Sequence, residues 1–135
     1  MADDPMGVSA DQELHQRCLQ VRSSVDGFLS KQQPKEALAE ALRSPPYEAN
    51  NIEIKNHAAE SVLKAIGAMK ESDIRGAVAS LGEDERFTLM KYLYRFWGMG
   101  LPGRTNAQLF TWHAALVDHS GEATIANAMF DWRGV

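Results

Sequence analysis

At 135 residues the chain is one domain's worth, long enough to bury a core without disulfide or metal staples. Apolar residues make up 44% and charged residues 24%, and the formal charge of −4 offers no electrostatic attraction to nucleic acid or anionic lipid. Cys18 is the single cysteine, which excludes an internal disulfide and a thiolate metal cage. No apolar run is long enough to span a membrane, and the acidic start from Met1 to Pro5 is unlike a signal peptide, so a cytoplasmic protein is expected.

Residues 1–8 carry no pattern and are expected to form a flexible N-terminus, leaving 9–135 as a single helical domain. Ser9 with Gln12 reads as a capping-box start. Leu14, Cys18, Val21, Val25 and Phe28 then recur at alternating spacings of four and three, a short heptad seam suited to packing against a core or a partner helix. Gly27 weakens the last turn. Lys31 to Gln33 form a turn, and Pro34 opens a short helix whose inner face is Ala37, Leu38, Ala41 and Leu42. That helix must stop before Pro45-Pro46. Ile54, Ala58, Val62, Ile66 and Met69 follow a helical period. Ser72 is expected to cap the next helix, with Ile74, Ala77, Val78 and Leu81 facing inward and Gly82 ending it.

The central element is expected over 83–97. On a helical wheel Phe87, Leu89, Met90, Tyr92, Leu93, Tyr94, Phe96 and Trp97 cover more than half the circumference, leaving a narrow wedge of Thr88, Lys91 and Arg95 for water. Glu83, Asp84 and Glu85 sit at its positive end and Arg95 near its negative end, as the helix dipole favours. After a glycine-rich connector, Thr105 is expected to cap a helix carrying Leu109, Trp112 and Leu116, closed by Ser120-Gly121. A last short helix holds Ile125, Met129 and Trp132. No segment alternates with a period of two. The fold class is therefore all-α, six to seven helices in an α–α superhelix or bundle around the central helix.

Catalytic patterns are weak. Gly98-x-Gly100-x-x-Gly103 spells a dinucleotide fingerprint, but it follows a helix rather than a strand and contains Pro102, so an interhelical loop is the better reading. His15 and Cys18 share a helical face without the two further ligands a zinc site needs. His57 with Glu60, and Trp112-His113, are pairs without a third member, and no nucleophile elbow or phosphate loop is present. No enzyme, cofactor or metal is expected. Lys91, Arg95 and Arg104 fall near one end of the central helix and suggest an anchor for an acidic partner surface.

Four blocks carry a resemblance to a known family. They are Ala37 to Pro46, with its two terminal prolines; Val62-Leu63-Lys64 followed by Lys70 to Leu81; Leu89-Met90-Lys91-Tyr92-Leu93-Tyr94-Arg95; and Trp112-His113 with Gly121, Ile125 and Val135. In this order they resemble subunit 5, the sixteen-kilodalton subunit, of the actin-related protein 2/3 complex. The resemblance implies an α–α superhelix packed round a central helix and a non-catalytic role. It implies a subunit that docks on the propeller subunit and the adjoining core subunit and stabilises actin-related protein 2. Such a subunit supports nucleation of branched actin filaments, meeting actin only indirectly and neither nucleic acid nor membrane. It belongs in the cytoplasm, at the cytoskeleton. Lys91, Arg95, Trp132 and Arg133 are the partner-binding candidates. Two departures stand out: members with a long acidic N-terminal arm have no counterpart in residues 1–8, and Asn127 stands where many have arginine. The alternative is a free-standing helical adaptor that binds a peptide or partner helix in a groove.

Overall fold

The computed structural model describes residues 5–43, 45–131 and 134–135, with side chains from Ala10 onward. Among them lie seven α-helices and one 3-10 turn, and no strand. The helices are α1 (Pro5–Ser30), α2 (Pro34–Leu42), α3 (Ile52–Gly67), α4 (Ile74–Ser80), α5 (Glu83–Trp97), α6 (Gly103–Ser120) and α7 (Glu122–Phe130); the 3-10 turn is Glu71–Asp73.

Local chemistry explains most of the boundaries. α1 begins at Pro5, so Ser9 lies inside the helix rather than at its cap. At its other end Gln32 takes a left-handed φ of 59°. Gln33 N–H donates to Phe28 O at 2.9 Å and Gln32 N–H to Leu29 O at 3.0 Å, the paired bonds of a Schellman ending. α2 opens on Pro34 and stops at Leu42, ahead of Pro45-Pro46. Asn51 caps α3 by accepting from Glu53 N–H at 2.9 Å. The far end of α3 is capped from another helix: Gln108 Nε2 of α6 donates to Ile66 O at 3.1 Å and Met69 O at 3.4 Å. Ser72 is not a cap; it lies within the 3-10 turn that leads into α4. Glu85 steadies the start of α5 by accepting from Gly82 N–H at 2.9 Å. Thr105 likewise lies inside α6, which starts at Gly103. Gly121, at φ 82°, makes the reversal between α6 and α7 that a residue with Cβ would resist.

α5 occupies the middle. Leu89, Met90, Tyr92, Leu93 and Phe96 are fully buried against α2, α6 and α7, and Leu38, Val62, Ile74, Leu109, Trp112 and Leu116 join the same core. α1 packs along α2 and α3, where the heptad seam splits. Val25 joins the main core, while Leu14 and Cys18 meet Ile54 and Ala58 in a small separate cluster. The expected wedge on α5 is not solvated: Thr88 and Lys91 are buried and Arg95 is half-buried, whereas Phe87, Tyr94 and Trp97 reach the surface in part. The loop after Pro46 and the segment following α7 cover the wedge, which a periodicity argument confined to one helix cannot anticipate. α7 is the expected last short helix. Ala128 is its buried residue, Ile125 is half-buried, and Met129 is exposed.

Candidate docking surface

Lys91 sits one turn before Arg95 on α5, so both side chains leave the helix on one face. Lys91 Nζ meets Asp131 Oδ2 at 3.1 Å, with the two side chains only 5% and 10% exposed. The Tyr47 ring lies 4.4 Å from the same ammonium and Phe87 5.6 Å away, so the cation is boxed between a carboxylate and two aromatic faces. Arg95 Nη1 donates to Lys55 O at 3.2 Å and Val135 O at 2.7 Å, and Nη2 donates to Asn56 Oδ1. Lys55 Nζ completes the arrangement by donating to Gly134 O at 3.0 Å. Lys91 and Arg95, expected as solvent-facing anchors, thus hold the end of α7 and residues 134–135 against α5 and α3. Trp132 and Arg133 lie outside the described residues. Arg104 lines a different cleft, between α3 and α6, with Leu63, Leu101 and Gln108.

Large apolar side chains are exposed on α6 and α7, and Met129 also lines the cleft that holds Lys91, Arg95 and Asp131. Phe110 of α6 is 63% exposed, Met129 65% and Phe130 87%. Beside Phe110 runs a ring cluster that joins α5 to α6: Trp97 to Phe110 at 5.2 Å between centroids, Trp97 to His113 at 5.3 Å, and Tyr94 to His113 at 6.0 Å. Next to it, α6 and α7 enclose an open groove of about 560 Å³. Its lining includes half-buried Val117 and Ile125, exposed Ala114 and Ala126, and the acidic Asp118 and Glu122. Sequence reasoning assigned no face to Ile125 and Met129 on the last short helix, so this surface was not found there.

The patterns weighed as catalytic resolve into packing. Cys18 is buried with Sγ directed at Ile54 O, 3.9 Å away, and burial pushes its thiol pKa up, only partly countered by Arg17. Such a thiol is a poor nucleophile. His57 Nδ1 meets Arg22 Nη1 at 3.2 Å, and Arg22 also reaches Glu60 at 3.1 Å, which makes a surface pairing across α1 and α3. His15 stands edge-on to His57 at 5.5 Å. The Gly98–Gly103 stretch is the α5–α6 connector, with Gly100 at φ 66°. Among the described residues no group of three or more His, Cys, Asp or Glu is gathered as a metal site would need, and no helix is long and apolar enough to cross a membrane.

Comparison with known proteins gives this arrangement its context. The family described as ARP2/3 complex 16 kDa subunit (p16-Arc) matches residues 2–135. The actin-related protein 2/3 complex subunit 5 of Dictyostelium discoideum is 32% identical over 108 residues, covering 79% of this chain and 75% of that protein. The probable subunit 5 of Caenorhabditis elegans is 30% identical over 102 residues, 76% of this chain and 70% of its own length. The human subunit 5-like protein is 33% identical over 108 residues, 79% and 69% respectively. With a match along its whole length and relatives of this identity and coverage, the chain belongs to the ARP2/3 complex 16 kDa subunit (p16-Arc) family.

Proposed function

We propose that this chain is a non-catalytic structural subunit of the actin-related protein 2/3 complex, docking on the propeller subunit and the adjoining core subunit and stabilising actin-related protein 2 in the assembly. The observation that carries the reading is the family match from residue 2 to residue 135. The physical character of the chain supports it: a helical body with a buried thiol, histidines engaged in surface pairing and packing, and a patch of exposed aromatic and thioether side chains of the kind that anchors protein contacts. On this reading it acts in the cytoplasm at the cytoskeleton, supports nucleation of branched filaments and meets actin through its neighbours. Lys91 and Arg95 contribute to docking by holding the C-terminal segment in place.

The test is gentle purification of the tagged protein from its own cells. Near-equal recovery of the propeller subunit and both actin-related proteins is the expected result. A clean preparation without them sinks the assembly reading and favours the free-standing adaptor, for which the α6–α7 groove is the binding feature.

A further inference from the structure

α7 inverts the usual amphipathic arrangement. Only Ala128 and half-buried Ile125 pack its inner face on the core, the polar contacts fall just past its end at Asp131 and residues 134–135, and Met129 and Phe130 point outward. Nine residues are too few for a helix to hold its shape alone in water. Its place must come from contacts at its ends and inner face: Ala128, half-buried Ile125, the sheltered Lys91–Asp131 pair, and the grip of Arg95 and Lys55 on residues 134–135. The lysine does not line the groove that α7 forms with α6; it lines a separate cleft with Arg95, Met129 and Asp131.

That groove has a definite chemistry. Alanines at 114 and 126 leave room for an entering side chain, Val117 and Ile125 make its walls apolar, and Phe130 stands at its margin. Asp118 and Glu122 border it. Arg75 pairs with Asp118 at 2.8 Å, but both of those side chains remain more than half exposed. An apolar anchor therefore fits between Val117 and Ile125, and a neighbouring cation fits beside Glu122, where an acidic partner meets like charge. We propose that the α6–α7 groove receives an apolar side chain flanked by lysine or arginine on another subunit, and that Lys91 is the positioning residue that sets α7 for this contact. The proposal rests on the assembly reading and specifies which surface does the docking and what it meets.

The experiment uses the full chain, fluorescently labelled, titrated into the remaining subunits of the complex purified from cells lacking it. Hydrogen exchange over residues 122–130 is followed on the isolated chain in parallel. Phe130→Ser should weaken joining by about tenfold or more while leaving exchange in α7 unchanged. Glu122→Gln should weaken it by a few-fold and flatten its salt dependence. Lys91→Met should accelerate exchange in α7 by at least about tenfold and weaken joining, and the double variant Lys91→Met with Asp131→Met should restore both. Wild-type protein that joins while Phe130→Ser joins equally well overturns the groove as the docking site. Weakened joining by Lys91→Met with unchanged exchange in α7 overturns the positioning role, because the lysine would then meet the partner itself. Wild-type protein that fails to join overturns the assembly reading and the docking proposal with it, a result distinct from either of the others.

Discussion

Helix α1 lies on α3 through Leu14, Cys18, Ile54 and Ala58, with its charged pairs outside: Arg22–Glu60 at 3.1 Å and Asp26–Lys64 at 2.7 Å, all four side chains a third or more exposed. Helix α7 turns only Ala128 and half-buried Ile125 inward; the Lys91–Asp131 pair just past its end lies inside, and Met129 and Phe130 lie outside. In the first seam apolar burial carries the stability, and the ions, screened by water and salt, add little. In the second, desolvation makes the ion pair poor at adding net stability yet costly to break, because removing one partner strands the other away from water. The same charge chemistry is therefore nearly dispensable at one seam and decisive at the other. Exposure alone sets the difference. On the proposed docking role, apolar residues that α7 offers to a partner are not available for its own packing, and the buried polar latch beyond its end makes up for them.

The sharpest way to break the comparison is Lys91→Met. Loss of the lysine should cost about 3–5 kcal/mol, an upper figure that shrinks if α7 simply detaches and wets Asp131. Denaturant unfolding measures the total, and proteolysis near α7 reports local release. Charge reversal at Lys91 and Arg95 together should act more strongly still, so it cannot serve as a surface-only test of docking.

Leu93→Ala probes the platform both seams depend on. Leu93 is fully buried on α5, and its truncation should cost about 2–5 kcal/mol through lost transfer energy and the cavity left behind. A loss under about 1 kcal/mol would mean that α5 is not the centre of the fold.

A smaller effect appears with pH. Burial raises the Tyr92 hydroxyl pKa well above its usual value, with Tyr47 reinforcing the shift and Arg95 opposing it. The folded state therefore keeps a proton that the unfolded chain releases. Stability from this group is fully present below about pH 10 and falls as pH rises beyond it, by at most about 1.4 kcal/mol per unit. Cys18 and Tyr94, also raised by burial, act in the same direction, Cys18 from a lower pH. Tyr92→Phe should flatten this alkaline limb. At neutral pH it should shift stability by less than about 1 kcal/mol, since the hydroxyl is buried without a hydrogen-bond partner among the described residues. Chemical denaturation at pH 7 and pH 11 distinguishes the two variants.

Smallest of all, Lys64→Ala should change stability by no more than about 1 kcal/mol, and less in high salt. A loss comparable with that of Lys91→Met would erase the contrast between the seams.

Much of this architecture was legible in the chain. Pro34, the Pro45-Pro46 pair and Gly121 act through backbone geometry that needs no neighbour, and they delimit α2 and the α6–α7 reversal as expected. The limits of α5 at 83 and 97 follow from its acidic first turn and the glycines on either side. Its aromatic arc was wide enough to require neighbours all round. Side-chain capping was less legible: Ser72 and Thr105 have the right chemistry but fall inside helical turns, while α3 is capped by Gln108 from a helix remote in sequence.

The candidate surface was the least legible part, and the reason is physical. Hydrophobic periodicity identifies residues that share a face of one helix; it does not say which segment comes to cover that face. Lys91 reads as solvated because an isolated lysine prefers water, and Tyr47 and Asp131, brought in from two distant places along the chain, join Phe87 one turn away on α5 to make its burial tolerable. The sequence by itself determined the helices, the central one among them, and the family. Tertiary structure alone decided that the basic residues of that helix turn inward to hold the segment after α7, and that Met129 and Phe130 stay exposed. Charge, burial and exposure are properties of an assembled surface, and no single helix carries them in advance.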